Sequence, residues 1–122
     1  MSTAPHLALG RAAEAAAAQF LERLGYRAII ANFRAKGGEL DLVAEDHGVL
    51  AIVEVRYRAS NRFGGAAASI THCKRLRIVR AARVLLASNS PLARMPARFD
   101  VVEVSGPSGE MHCDLIRAAF SL

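Results

Sequence analysis

The sequence predicts a single-domain α/β fold in which a mixed β-sheet is flanked by helices. Three observations lead there. A chain of 122 residues is long enough for one hydrophobic core and too short for two. Its composition, 52% hydrophobic against 22% charged, excludes intrinsic disorder. Segments with helical apolar spacing alternate with strand-like segments, in the order helix, three strands, helix, one or two strands.

From about Leu7 to Leu24, Ala13, Ala17, Phe20, Leu21 and Leu24 recur at spacings of three and four, which defines one helical face, and Gly25 supplies the stop. Glu14 falls at the edge of that face, while Gln19, Glu22 and Arg23 point away. Tyr26 to Arg34, Glu39 to Glu45 and Val49 to Arg58 read as strands, joined by turns at Gly37-Gly38 and Asp46-His47-Gly48. Thr71 to Ser88 is a second helix, with Ile78, Val79, Ala82, Leu85 and Leu86 on one face and Arg77, Arg80 and Arg83 on the other. Pro91 and Pro96 mark a loop. Two more strands are expected at Ala97 to Val104 and Met111 to Phe120, the last with the option of finishing as a helical turn.

No apolar run reaches the roughly 18 to 20 residues a bilayer span requires, so no membrane association is expected. Met1 to Leu9 lacks a basic segment leading into a long apolar one, which makes the cytoplasm the expected compartment. Cys73 and Cys113 form neither a disulfide framework nor a Cys-x-x-Cys pair.

The net charge of +5 is unevenly divided. All 11 acids lie between Glu14 and Glu54 or between Asp100 and Asp114, whereas Val55 to Phe99 holds ten basic residues and no acid. Such a block attracts polyanions if it forms one surface, and is otherwise a solvated basic face. Arg58, Arg62, Lys74, Arg75, Arg77 and Arg80 are its candidate nucleic-acid contacts. Phe63 to Ser69 reads as a flexible loop ahead of a helix capped by Thr71, where backbone amides and Lys74-Arg75 either bind phosphate or merely make a connection.

The middle hairpin carries the candidate chemistry. A four-residue turn over Asp46 to Val49 places Glu45 opposite Leu50 and therefore Asp41 opposite Glu54, on one sheet face. Alternation adds Glu39 beside Asp41 and Arg56 beside Glu54. Opposed carboxylates repel, and a hard divalent cation removes that penalty; Mg²⁺ binds through one or two carboxylates and keeps its other positions for water and phosphate. The alternatives are a structural salt bridge to Arg56, or a one-residue register shift that turns one acid to solvent.

Gly38-Glu39-Leu40-Asp41-Leu42-Val43, 12 intervening residues from Asp41, and then Glu54-Val55-Arg56 resemble the D-(x)n-E-x-K core of restriction-endonuclease-like nucleases. With Gly10 and Glu14, Gly25-Tyr26, Asn32-Phe33-Arg34, Phe63-Gly64-Gly65, Arg98-Phe99-Asp100-Val101-Val102 and Ile116 to Phe120, the chain resembles the bacterial YraN family from near residue 10 to its C-terminus. The resemblance implies one endonuclease-like domain over residues 1–122, with residues 1–8 as a candidate disordered tail. It implies Asp41 and Glu54 as ligands of Mg²⁺ or Mn²⁺, and Glu14 as the helical acid that completes the site in junction-resolving enzymes. Arg56 stands where those nucleases carry a catalytic lysine. An arginine stays protonated, so it can grip phosphate but cannot act as a base.

These readings lead to an expected metal-dependent nuclease acting on DNA, structured or branched DNA included, with Glu14, Asp41, Glu54 and Arg56 as catalytic residues and a homodimer as one arrangement. A non-catalytic nucleic-acid-binding protein and a protein-interaction subunit are the competing expectations.

Overall fold

The computed structural model describes residues 5–58, 71–107 and 109–120. Its elements are α1 (Pro5–Arg23), β1 (Arg27–Ala35), β2 (Gly38–Asp46), β3 (Val49–Arg58), α2 (His72–Ser88), α3 (Ser90–Ala93), β4 (Ala97–Ser105) and β5 (His112–Phe120). The five strands form one sheet in sequence order. Neighbours are antiparallel except β3 and β4, which run parallel and so require the crossover that carries α2. The sheet is therefore mixed and flanked by helices, as the sequence predicts.

The two faces of the central strands bury against different helices. Val43, Leu50 and Ile52 pack with Ile78, Val79, Ala82 and Leu85 of α2. Leu42, Ala44, Ala51 and Val53 pack with Ala13, Ala17 and Leu21 of α1. Cover on both sides is why Leu50 to Val53 reads as an unbroken apolar run instead of an alternating one.

Helix α1 begins at Pro5, earlier than apolar spacing alone indicates, so residues 5–8 of the expected tail belong to the helix; residues 1–4 lie outside the described residues. It ends in a Schellman motif: Gly25 takes a φ of 95°, the Tyr26 amide donates to the Leu21 carbonyl, and the Gly25 amide donates to that of Glu22. The helix α3 was expected as loop. Asn89 caps it by accepting from the Leu92 amide, and Pro91, which the sequence predicts to mark a loop, sits in its first turn and favours the helix. Strand β5 runs to Phe120 without a closing helical turn, although Ala118 takes a φ of 49°.

The β2–β3 turn is tighter than expected and leaves the register unchanged. Asp46 pairs with Val49 across a two-residue turn in which His47 and Gly48 both have positive φ, and Glu45 still faces Leu50. At the other end of the ladder the last pair is Leu42 with Val53. One step beyond, the Val55 amide donates to the Asp41 carboxylate, 2.9 Å away, in place of a main-chain acceptor. Opposite this point on β1, Asn32 takes a φ of 54°, and the β1–β2 pairing has no Asn32–Asp41 partner. Strand β2 thus turns aside at Asp41 and opens a space beside Glu54.

A candidate acidic cleft rimmed by cations

That space is a cleft of about 640 Å³ between the β1–β2 hairpin and α2. Asp41 and Glu54 line it from the sheet, with Glu39 and Arg34 from the hairpin and Lys74, Arg77 and Arg80 from the helix. Gly38 sets its closed end: a Cβ there would stand 1.9 Å from the Arg77 carbonyl oxygen, so the hairpin can rest on the α2 backbone only with glycine at this position. Thr71 caps α2 by accepting from the Lys74 amide at 3.2 Å, which fixes Lys74 in the first turn.

Glu54 is buried, and its carboxylate meets the Lys74 ammonium at 2.6 Å. Burial, and then the charge of Asp41, push the Glu54 carboxyl up to about 7, while Lys74 pulls the other way. A raised carboxyl binds its proton more tightly folded than unfolded. Its contribution to stability is therefore complete below about 4.5 and lost as pH rises through about 7. Measured by thermal unfolding of metal-free protein, Glu54→Gln should gain several degrees on wild type between pH 5 and pH 8. A constant difference would contradict the raised carboxyl.

Glu14 approaches from the other side. It lines a smaller cavity of about 290 Å³ with Asp41, Asn32 and Arg11. Burial first, then Asp41 and Glu39, raise its carboxyl. The edge position expected for Glu14 thus brings it near Asp41, and Asp41 stands between it and Glu54.

The remaining expected residues divide. Arg77 and Arg80 reach the cleft, and so does Lys74, though as a partner of Glu54 and not as a free surface charge. Arg75 turns to β5, its guanidinium 5.3 Å from the centre of the Phe120 ring. Arg58 lies 3.8 Å from Glu103. Arg56 is half-buried, is not part of the cleft lining, and has no ion pair among the described residues. Arg62 and the Phe63 to Ser69 loop lie outside the described residues. Arg34, which the sequence reading passed over, enters the cleft from β1 and pairs with Glu39 at 3.3 Å.

The acid-free block is not acid-free in space, because Arg98 is committed elsewhere. Its Nε lies 2.9 Å from Asp100 Oδ1 and its Nη2 lies 2.5 Å from Asp46 Oδ2. Arg98 also donates to the Tyr26 hydroxyl, which donates to Asp100. The guanidinium holds Asp46 below its usual range, with help from His47. These groups tie Tyr26, just before β1, and Asp46, at the end of β2, to the start of β4.

Asp41 and Glu54 offer carboxylate oxygens, the donor type that a hard divalent cation takes. Asp41 uses Oδ2 on the Val55 amide and Glu54 uses Oε1 on Lys74, which leaves each carboxylate one oxygen outside those bonds. Burial, the Asp41 charge and a hydrogen bond between the two carboxyls raise Glu54, and Lys74 compensates in part. Among the described residues no three His, Cys, Asp or Glu side chains converge as a metal cluster, so Asp41 and Glu54 are the donors available in the cleft.

Fold and site define a single-domain α/β protein with a carboxylate pair and a lysine in a cleft at the diverging end of two strands. No helix among the described residues is long and apolar enough to cross a membrane. The model of the uncharacterised protein family UPF0102, the YraN family, matches residues 13–104, and the chain belongs to that family. It is 50% identical to a UPF0102 protein of Xanthomonas campestris over 93% of this chain and 91% of that one. A UPF0102 protein of Symbiobacterium thermophilum is 47% identical over 92% and 95%, and one of Saccharophagus degradans is 43% identical over 98% of each.

Proposed function

We propose that this chain is a metal-dependent phosphodiesterase that cuts DNA, with structured or branched DNA as the substrate class. The observation that carries the reading is the Asp41–Glu54 carboxylate pair at the floor of a cleft whose rim is Arg34, Lys74, Arg77 and Arg80. Acids at the centre serve a cation, and cations around them serve phosphates.

Asp41 and Glu54 would hold Mg²⁺ or Mn²⁺. Bound there, the ion would supply a water of lowered pKa and charge neutralisation at the phosphate. Arg77 and Arg80 grip phosphates beside the cut, and Glu14, which lines the smaller cavity behind Asp41, adds negative charge that favours a bound cation. In the hydrolysis, water oxygen bonds to phosphorus, the bond to one ester oxygen breaks, and the proton released by the water balances the one taken up by the leaving oxygen. Two copies of the chain would suit paired cuts at a branch.

Arg56 at the expected lysine position favours a second reading, a DNA-binding protein without hydrolysis. One assay separates the two. Purified protein is incubated with junction, flap and single-stranded DNA, and with RNA, in Mg²⁺, Mn²⁺ or EDTA. Cleavage of DNA with either metal and none in EDTA is expected. Salt-sensitive binding without cleavage would establish the second reading, and neither binding nor cleavage would overturn both.

A further inference from the structure

We infer that Lys74 is a catalytic residue of this site: α2 presents its ammonium beside Glu54, and that ammonium touches the phosphate that is cut. The inference rests on the phosphodiesterase reading above and assigns one of its groups.

Four observations converge. Lys74 Nζ stands 2.6 Å from Glu54 Oε1, and both side chains line the cleft. Arg56, two residues along β3 from Glu54, is not part of that lining. Lys74 remains about 40% exposed while Glu54 is buried, so one flank of the ammonium faces Glu54 and the rest is open to a ligand. An ammonium carries three donors and is compact enough to serve a carboxylate and a phosphate oxygen together.

The fourth observation concerns α2 itself. Its first turn holds no acid, although the helix dipole favours acids there and disfavours cations. His72, Lys74 and Arg75 occupy that turn instead. For Lys74 the compensating charge comes from Glu54, on another element of the fold. Thr71 and the helix start hold the base of the side chain, and Arg77 and Arg80 follow on the cleft side of the same helix. A phosphate chain lying along α2 would meet Lys74 where the carboxylates are and the two arginines in succession further along the helix.

The ammonium and a divalent cation both draw on Glu54. Removing Lys74 therefore has opposite effects on the two halves of the site: the cation loses a repelling charge and a competitor, while the substrate loses its contact. A residue that merely held the fold would weaken both together.

The test uses Lys74→Met and Lys74→Arg in the full chain, with Mn²⁺ alone titrated by calorimetry and cleavage measured at saturating Mn²⁺. Lys74→Met should bind Mn²⁺ about three- to tenfold more tightly and cleave with kcat lowered about 100-fold and KM within about threefold. Lys74→Arg keeps the charge and should recover to within about tenfold of wild type. Cleavage by Lys74→Met within about threefold of wild type, or Mn²⁺ affinity falling along with kcat, would overturn the assignment while leaving the phosphodiesterase reading intact. A wild-type chain that neither binds Mn²⁺ nor cleaves would overturn both.

Discussion

Asp41→Asn should lose cleavage by about 100-fold or more without losing stability. The carboxylate has two tasks that the substitution separates. One is structural: Asp41 Oδ2 accepts the Val55 amide at the point where β2 leaves the ladder, and an asparagine carbonyl can accept the same bond. The other is electrostatic, since the negative charge raises both Glu54 and Glu14. Removing it relieves that repulsion, so the metal-free variant should melt at or above the temperature of wild type at neutral pH. A parallel fall in melting temperature and activity would show that Asp41 acts through the fold alone, and unchanged cleavage would remove it from the site.

Asp100→Ala should produce the largest loss of stability of any single change at the other end of the sheet. Its side chain is fully buried and accepts from the Tyr26 hydroxyl at 3.0 Å, from Arg98 Nε at 2.9 and 3.0 Å, and from the Ala118 amide at 2.9 Å. The last bond fills the gap left where the β4–β5 register shifts between Phe99 and Val101. Truncation leaves Arg98 with Asp46 as its remaining carboxylate partner and orphans a main-chain donor. The cost expected for breaking such a buried pair is about 3–5 kcal/mol, a fall of about 10–20 °C for a chain of this size. Urea unfolding followed by circular dichroism would measure it. A loss below about 1 kcal/mol would mean that the network is solvated and contributes no more than a surface pair.

The central hairpin was legible because its geometry is local. The turn around His47 has two residues where four are predicted, yet both turns give the Glu45–Leu50 pairing, so Asp41 still comes beside Glu54 although the ladder stops one pair short of it. Glu14 was legible for a similar reason, since helical spacing alone puts it at the border of the buried face. Lys74 was placed among the phosphate contacts and not beside Glu54, because its position depends on how α2 docks across the sheet, which no spacing records. Gly38 records it indirectly: only a residue without Cβ admits the Arg77 carbonyl, and a paired glycine in a turn does not say which neighbour is close.

Charge counting misled where the sheet folds distant segments together. Arg98 lies at the end of a stretch of sequence with no acid, but Asp100 follows two residues later on the same strand, and the end of β2 brings Asp46 to it. Arg34 lies in the acidic part of the chain and ends in the cation rim. Among the described residues the cations that line the cleft are Arg34, Lys74, Arg77 and Arg80, a set drawn from both parts of the chain.

The most direct measurement is calorimetric titration of Mn²⁺ into metal-free wild type and Asp41→Asn at pH 7.5. The account predicts saturable binding by wild type, with proton release from the carboxyl raised to about 7 at Glu54, and affinity reduced at least about tenfold in the variant. Equal binding by the two proteins, or none by wild type, would contradict a cation site between Asp41 and Glu54.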